Sequence, residues 1–142
     1  MKKDYQSLIE KTLSPLPRHM VVVYAIACAR DSAQYSKDPK EIHRILDIVE
    51  AYNQGKATKE ELDTAYAYAA SAFYARAACF AASSASYASY AAFNAASAAA
   101  SAAAYAASSG KGDKTYDSTM EKYYHMALNL IESLTELEKE LM

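Results

Sequence analysis

Between Thr64 and Ser109 the chain carries 24 alanines, nine serines and one charge, Arg76. Alanine has the highest helix propensity, so helix is the local outcome along the whole stretch. One continuous helix of that length would reach about 70 Å, whereas a compact chain of this size has a radius of gyration of about 14 Å. The segment is therefore expected to break and fold back. Ser83, Ser84 and Ser86 mark the expected break, because hydroxyls that bond to the backbone compete with the helical ladder. Two antiparallel helices follow from that reading, over residues 60–82 and 85–108, with a continuous rod supported by a partner chain as the alternative. Tyr66, Phe73, Phe80 and Tyr87 recur every seventh position, which predicts a packing seam along one face.

The flanks are punctuated by stronger local signals. A short helix over residues 4–13 must end at Pro15 and Pro17, since each proline removes a donor and restricts the residue before it. Residues 21–35 read as helix despite Val21, Val22 and Val23, because Ala25, Ala27, Cys28 and Ala29 carry helical composition onward. Asp38, Pro39 and Glu41 form a helix start, and Ile42, Ile45, Leu46, Val49 and Tyr52 then share one face before Gly55 stops the helix. Thr58 and Glu61 are spaced as a capping box, as are Ser118 and Glu121. Gly110 and Gly112 mark a loop. The last helix has an apolar stripe of Met120, Tyr124, Ala127, Ile131, Leu134 and Leu141, with Glu132, Glu136, Glu138 and Lys139 mostly opposite.

These signals predict a single all-α domain over residues 1–142, a compact bundle of about five helices around a close-packed, Ala/Tyr-rich antiparallel central pair. Residues 1–17 form a short helix and proline-rich connector, 58–109 the alanine-rich core and 114–142 an amphipathic helix.

Several function classes are disfavoured by composition. A net charge of −2 with pI near 5.9 gives no cationic footprint for duplex nucleic acid. Residues 77–109 are uncharged, but their apolar content is nearly all alanine, which has too little apolar area to favour a membrane. Cys28 and Cys79 are isolated and alanine-flanked, which predicts reduced, buried thiols and a cytoplasmic setting, the host cytoplasm if the gene is phage-borne. No phosphate loop, Cys-x-x-Cys, His-Glu-x-x-His or Gly-x-Ser-x-Gly occurs in the sequence, and His19, His43 and His125 are dispersed. A protein that is not an enzyme, with no metal and no cofactor, is the expectation.

Binding chemistry is concentrated in the alanine-rich segment. Tyrosine rings can fill the space that alanine leaves, or can line a pocket where a planar ligand stacks and serine hydroxyls fix its polar edge. Arg76 is costly to bury unless it is paired, with Asp31 or Asp63 as candidates, or meets an anion. Arg76, Tyr66, Tyr74, Tyr87 and Tyr90 are therefore candidate ligand-binding residues, and Arg18, His19 and Arg30 form a weaker second set. Rows of exposed tyrosines without a pocket would instead indicate a partner-protein or homo-oligomeric interface.

The motif YAIACAR at residues 24–30, the amphipathic helix ending in AYNQGKATKEEL at 51–62 and the alanine-dominated helices after it resemble the Imm-5-like immunity proteins of bacterial toxin loci and phages. The resemblance covers about residues 20–109. It implies a conflict-system protein that neutralises its target by stoichiometric binding. The target would be a toxin or defence protein, or a nucleotide-type immune signal in phage anti-defence, and Tyr, Ser and Arg76 lean towards a small anionic ligand held by a homo-oligomer. A structural or ice-binding alanine-rich helix is a remote alternative, since the threonine at eleven-residue spacing that such helices use is absent.

Overall fold

The computed structural model describes residues 3–72, 75–87, 90–109 and 115–141, and among these it contains seven helices and no strand. They are α1 (Tyr5–Leu13), α2 (Arg18–Ala33), α3 (Pro39–Asn53), α4 (Lys59–Ser71), α5 (Arg76–Ser86), α6 (Ala91–Ser108) and α7 (Tyr116–Leu141). The all-α class is as expected, but there are seven helices rather than about five.

The local signals act where the sequence places them. The Asp38 carboxylate accepts from Glu41 N at 3.2 Å, with Pro39 in the first turn. Thr58 and Glu61 close a reciprocal capping box at 3.1 Å in each direction. Each such cap is worth about 1 kcal/mol. Gly55 takes φ +77°, the left-handed conformation that ends a helix without a Cβ penalty. At α7 the cap shifts upstream: the Thr115 hydroxyl accepts from Ser118 N at 3.0 Å, so Thr115 takes the place expected of Ser118. The loop expected around Gly110 and Gly112 lies outside the described residues.

The alanine-rich segment breaks twice, and neither break is at Ser83, Ser84 or Ser86, which lie inside α5. Ala72 and Tyr87 are extended (φ −112°, ψ 115° and φ −119°, ψ 92°), while Ala75 and Tyr90, each just before the next helix, have ψ near 20°. Buried Ser84 turns its hydroxyl onto the Ala81 carbonyl at 2.7 Å, so it is satisfied within the helix it was expected to interrupt. The heptad seam is also interrupted. Tyr66 and Phe80 are half-buried against the core, Tyr87 is 57% exposed, and Phe73 lies outside the described residues.

The most extensive helix contacts are α5 with α6 and α2 with α6, and α2 also packs on α3, α5 and α7. The centre is thus a trio, in which α2 joins the expected alanine-rich pair. Val21, Val22, Tyr24, Ala25, Ile26, Cys28, Ala29 and Ala33 are all buried on α2. Residues 24, 25 and 26 cannot share one face at 100° per residue, so α2 is enclosed on several sides. Its β-branched run, ambiguous between strand and helix by composition, is helical because tertiary burial outweighs a small propensity cost.

Candidate functional site

A cleft of about 470 Å³ opens between the start of α5, the second half of α6 and the start of α7. α6 supplies most of the lining. Ala100 and Ala104 lie one turn apart and leave room, while Ser101, Tyr105 and Ser108 add hydroxyls along the same face. Arg76 enters from the first turn of α5 and Tyr116 from the first turn of α7. Its size falls within the range of small-molecule sites, about 300 to 1,000 Å³.

The cleft joins a cationic helix start to a neutral tyrosine. α5 has no side-chain cap and no acidic residue in its first turn, and its first residue is the exposed Arg76. The positive end of the helix dipole and a guanidinium therefore place positive potential at that end. Arg76 also has an interaction of its own within the protein. On the α7 side, burial first, and then Asp117 and Asp4, push the Tyr116 hydroxyl above its ordinary pKa. That tyrosine stays a neutral donor at physiological pH. The Ser108 hydroxyl donates to the Tyr105 carbonyl at 3.0 Å, which leaves its oxygen to accept. Two neighbouring concavities share walls with the cleft. One, of about 410 Å³, shares Arg76 and reaches Cys79 and Phe80; the other, of about 310 Å³, shares Tyr105 and Ser108 and reaches Tyr35 and Lys37.

Of the residues singled out in the sequence and described in the structure, only Arg76 lines this cleft. Tyr66 is half-buried beside Cys79, which is half-buried rather than buried as expected and whose thiol is pushed above its ordinary pKa chiefly by burial, with Tyr66 and Arg76 lowering it. Tyr87 and Tyr90 are exposed (57% and 66%) on the connection between α5 and α6, with the Lys59 ammonium 6.0 Å from the Tyr87 ring centroid. Tyr74 lies outside the described residues. Asp31 and Asp63, offered as partners for Arg76, accept from Lys122 at 2.8 Å and Lys59 at 3.1 Å.

The second candidate set does not assemble. Arg30 clasps α2 to α3, donating to His43 Nδ1 (2.9 Å), Asp47 (2.8 Å) and Glu50 (3.3 Å). A guanidinium bound to three side chains of its own fold is structural. The exposed Arg18 donates to the Ala85 carbonyl at 3.4 Å, and His19 accepts through its carbonyl from Asn53 at 3.0 Å. Tyr105 and Tyr116 were not singled out by the sequence. The signal available for Tyr105 was the spacing of Ser101, Tyr105 and Ser108, and among so many alanines that spacing is not distinctive.

A second polar group is buried rather than open. Tyr24 Oη donates to the Tyr123 carbonyl at 2.7 Å, Tyr123 Oη donates to Asp31 at 2.9 Å, and Lys122 closes on the other Asp31 oxygen at 2.8 Å. This chain of bonds latches α7 to α2. Burial raises both tyrosine hydroxyls far above their ordinary pKa, and Asp31 adds to the effect at Tyr123. Burial also pushes the Cys28 thiol up to about 12, against a lowering effect of the neighbouring Tyr24 hydroxyl. Such a thiol is protonated and inert.

Among the described residues no His, Cys, Asp and Glu side chains group as a metal site, and no helix is long and apolar enough to cross a membrane. Comparison with protein-family models, curated proteins and solved structures finds no match.

Proposed function

We propose that the chain is a non-enzymatic binding protein that sequesters a small, planar, anionic ligand of the nucleotide type in the cleft of Arg76, Tyr105 and Tyr116. The observation that carries this reading is the placement of Arg76. The one charge of the alanine-rich segment is also, among the described residues, the one charged side chain lining a cleft walled by two tyrosines and two serines. A phosphate sits at the α5 end, where the guanidinium and the uncapped helix start favour an anion. A base or ring lies along Tyr105 and Tyr116, and its polar edge meets the Ser101 and Ser108 hydroxyls. In a phage–bacterium conflict, stoichiometric removal of a nucleotide immune signal is the role that suits such a site.

The test is native mass spectrometry and calorimetric titration of the full chain with AMP, cyclic di-AMP, ADP-ribose and cyclic ADP-ribose. At least one probe is expected to bind, and Arg76→Ala to weaken it about tenfold or more, as loss of a charge-assisted contact of 1.5 to 3 kcal/mol requires. An unliganded mass with every probe overturns the reading. Direct inhibition of a toxin or defence protein would then take precedence, and a specific observation supports it. Tyr87, Tyr90 and Phe93 are all at least half exposed around one helix break, and aromatic residues are enriched in protein interfaces.

A further inference from the structure

The Arg76 cleft does not end at Tyr105. The adjoining concavity of about 310 Å³ shares Tyr105 and Ser108 with it and continues to Tyr35, Ser36 and Lys37, on the turn between α2 and α3. Together the two compartments follow α6 from Ala100 to Ser109, about 14 Å of helix. The chain has 17 acidic residues against 15 Lys and Arg, yet among the described residues no carboxylate lines either compartment. Each has one cation, Arg76 in the first and Lys37 in the second. Lys37 is exposed and makes no ion pair among the described residues. Beside it Ser36 is 6% exposed. The Ser36 oxygen accepts from Asp38 N at 3.1 Å, and its proton is given to no acceptor among the described residues. A buried hydroxyl with a proton to donate, next to an ammonium, is a pair of donors short of an acceptor.

We propose that the ligand carries two phosphates one nucleoside apart, with one phosphate at Arg76 and the second at Lys37 and Ser36, so that the site takes a dinucleotide rather than a mononucleotide; this rests on the binding reading of the Arg76 cleft. The nucleoside between them lies along Tyr105, the wall common to both compartments, where a ring can stack. The second phosphate accepts from Lys37 Nζ and Ser36 Oγ in charge-assisted hydrogen bonds. Adjacent phosphates do not suit the arrangement, because Arg76 and Lys37 line different compartments. α2 and α6 both end beside the second compartment, and the negative ends of their dipoles would repel an anion there without a cation to offset them. Lys37 is therefore the residue on which the second phosphate depends.

Calorimetric titration of the full chain with the dinucleoside monophosphate ApA and the 5′-phosphorylated dinucleotide pApA tests this, since the two have the same rings and differ by one phosphate. pApA is expected to bind about tenfold tighter than ApA or more. Lys37→Ala, a change at an exposed position, is expected to reduce that ratio to about twofold or less. A chain that binds AMP or ADP-ribose through Arg76 but shows no gain from ApA to pApA overturns this inference and leaves the cleft reading standing. No binding of any nucleotide overturns both. If Lys37→Ala weakens ApA and pApA equally, the lysine only offsets the helix ends, and the proposal falls. A Lys37-dependent gain of ADP over AMP as large as that of pApA over ApA would put both phosphates in one place and overturn the arrangement.

Discussion

α6 and α7 wall the same cleft but are held in the bundle by opposite means. Every buried residue of α6 is alanine or serine, with Ala95, Ala96, Ala98, Ala99, Ala102 and Ala103 at zero exposure. Its stability comes from backbones brought close together and the dispersion contacts that proximity allows. α7 instead depends on a few large anchors, Met120 and Tyr123 at zero exposure, and on the latch through Tyr24 and Asp31. A helix of small residues is vulnerable to enlargement. A helix on anchors is vulnerable to truncation.

The largest expected effect tests the anchored side. Tyr123→Ala removes a fully buried ring and leaves Asp31 without one of its donors, which should cost about 3 to 5 kcal/mol in urea unfolding. A loss below 1 kcal/mol would mean that α7 is not held by this anchor. On the alanine side, Ala99→Leu inserts a branched side chain where no space exists and should cost about 1 to 3 kcal/mol. If it proves neutral, the close packing of α6 is not what stabilises it.

Alkaline pH sharpens the contrast at Cys28, on the helix that touches both. The unfolded thiol ionises near its ordinary 9.0 and the buried one near 12. Below pH 9 both forms keep the proton and the group has no effect. Between 9 and 12 the unfolded chain releases its proton first, so stability falls as pH rises, by roughly 1 to 1.5 kcal/mol per unit for this group. Cys28→Ala should flatten urea melts between pH 8 and 10, and equal slopes in the two proteins would refute the assignment. The smallest effect belongs to Tyr24→Phe, which leaves the ring and deletes one hydrogen bond to the Tyr123 carbonyl. About 1 kcal/mol should be lost, with faster amide exchange confined to the first half of α7; an unchanged exchange pattern would show that the latch contributes nothing.

The helix starts at Asp38 and Thr58 and the stop at Gly55 were legible because a cap is a contact among residues a few positions apart. The breaks in the alanine segment were not. Its helix propensity is nearly uniform, so no local term distinguishes Ala72 or Tyr87 from their neighbours, and the serines that looked disruptive satisfy their hydroxyls within α5. Arg76 was legible as a candidate because it is the one charge in 46 residues. Tyr105 and Tyr116 could not be selected from 13 tyrosines until α6 and α7 were placed side by side.

By itself the sequence determined the helical class, the capped starts of α3 and α4 and the amphipathic face of α7, all set by interactions within a turn or two of the chain. Tertiary structure alone decided where the alanine segment folds back, that α2 is enclosed at the centre, and which tyrosines are core, surface or cleft. Those outcomes depend on burial against distant helices, and a side chain as small as alanine carries almost no information about which neighbour it will meet.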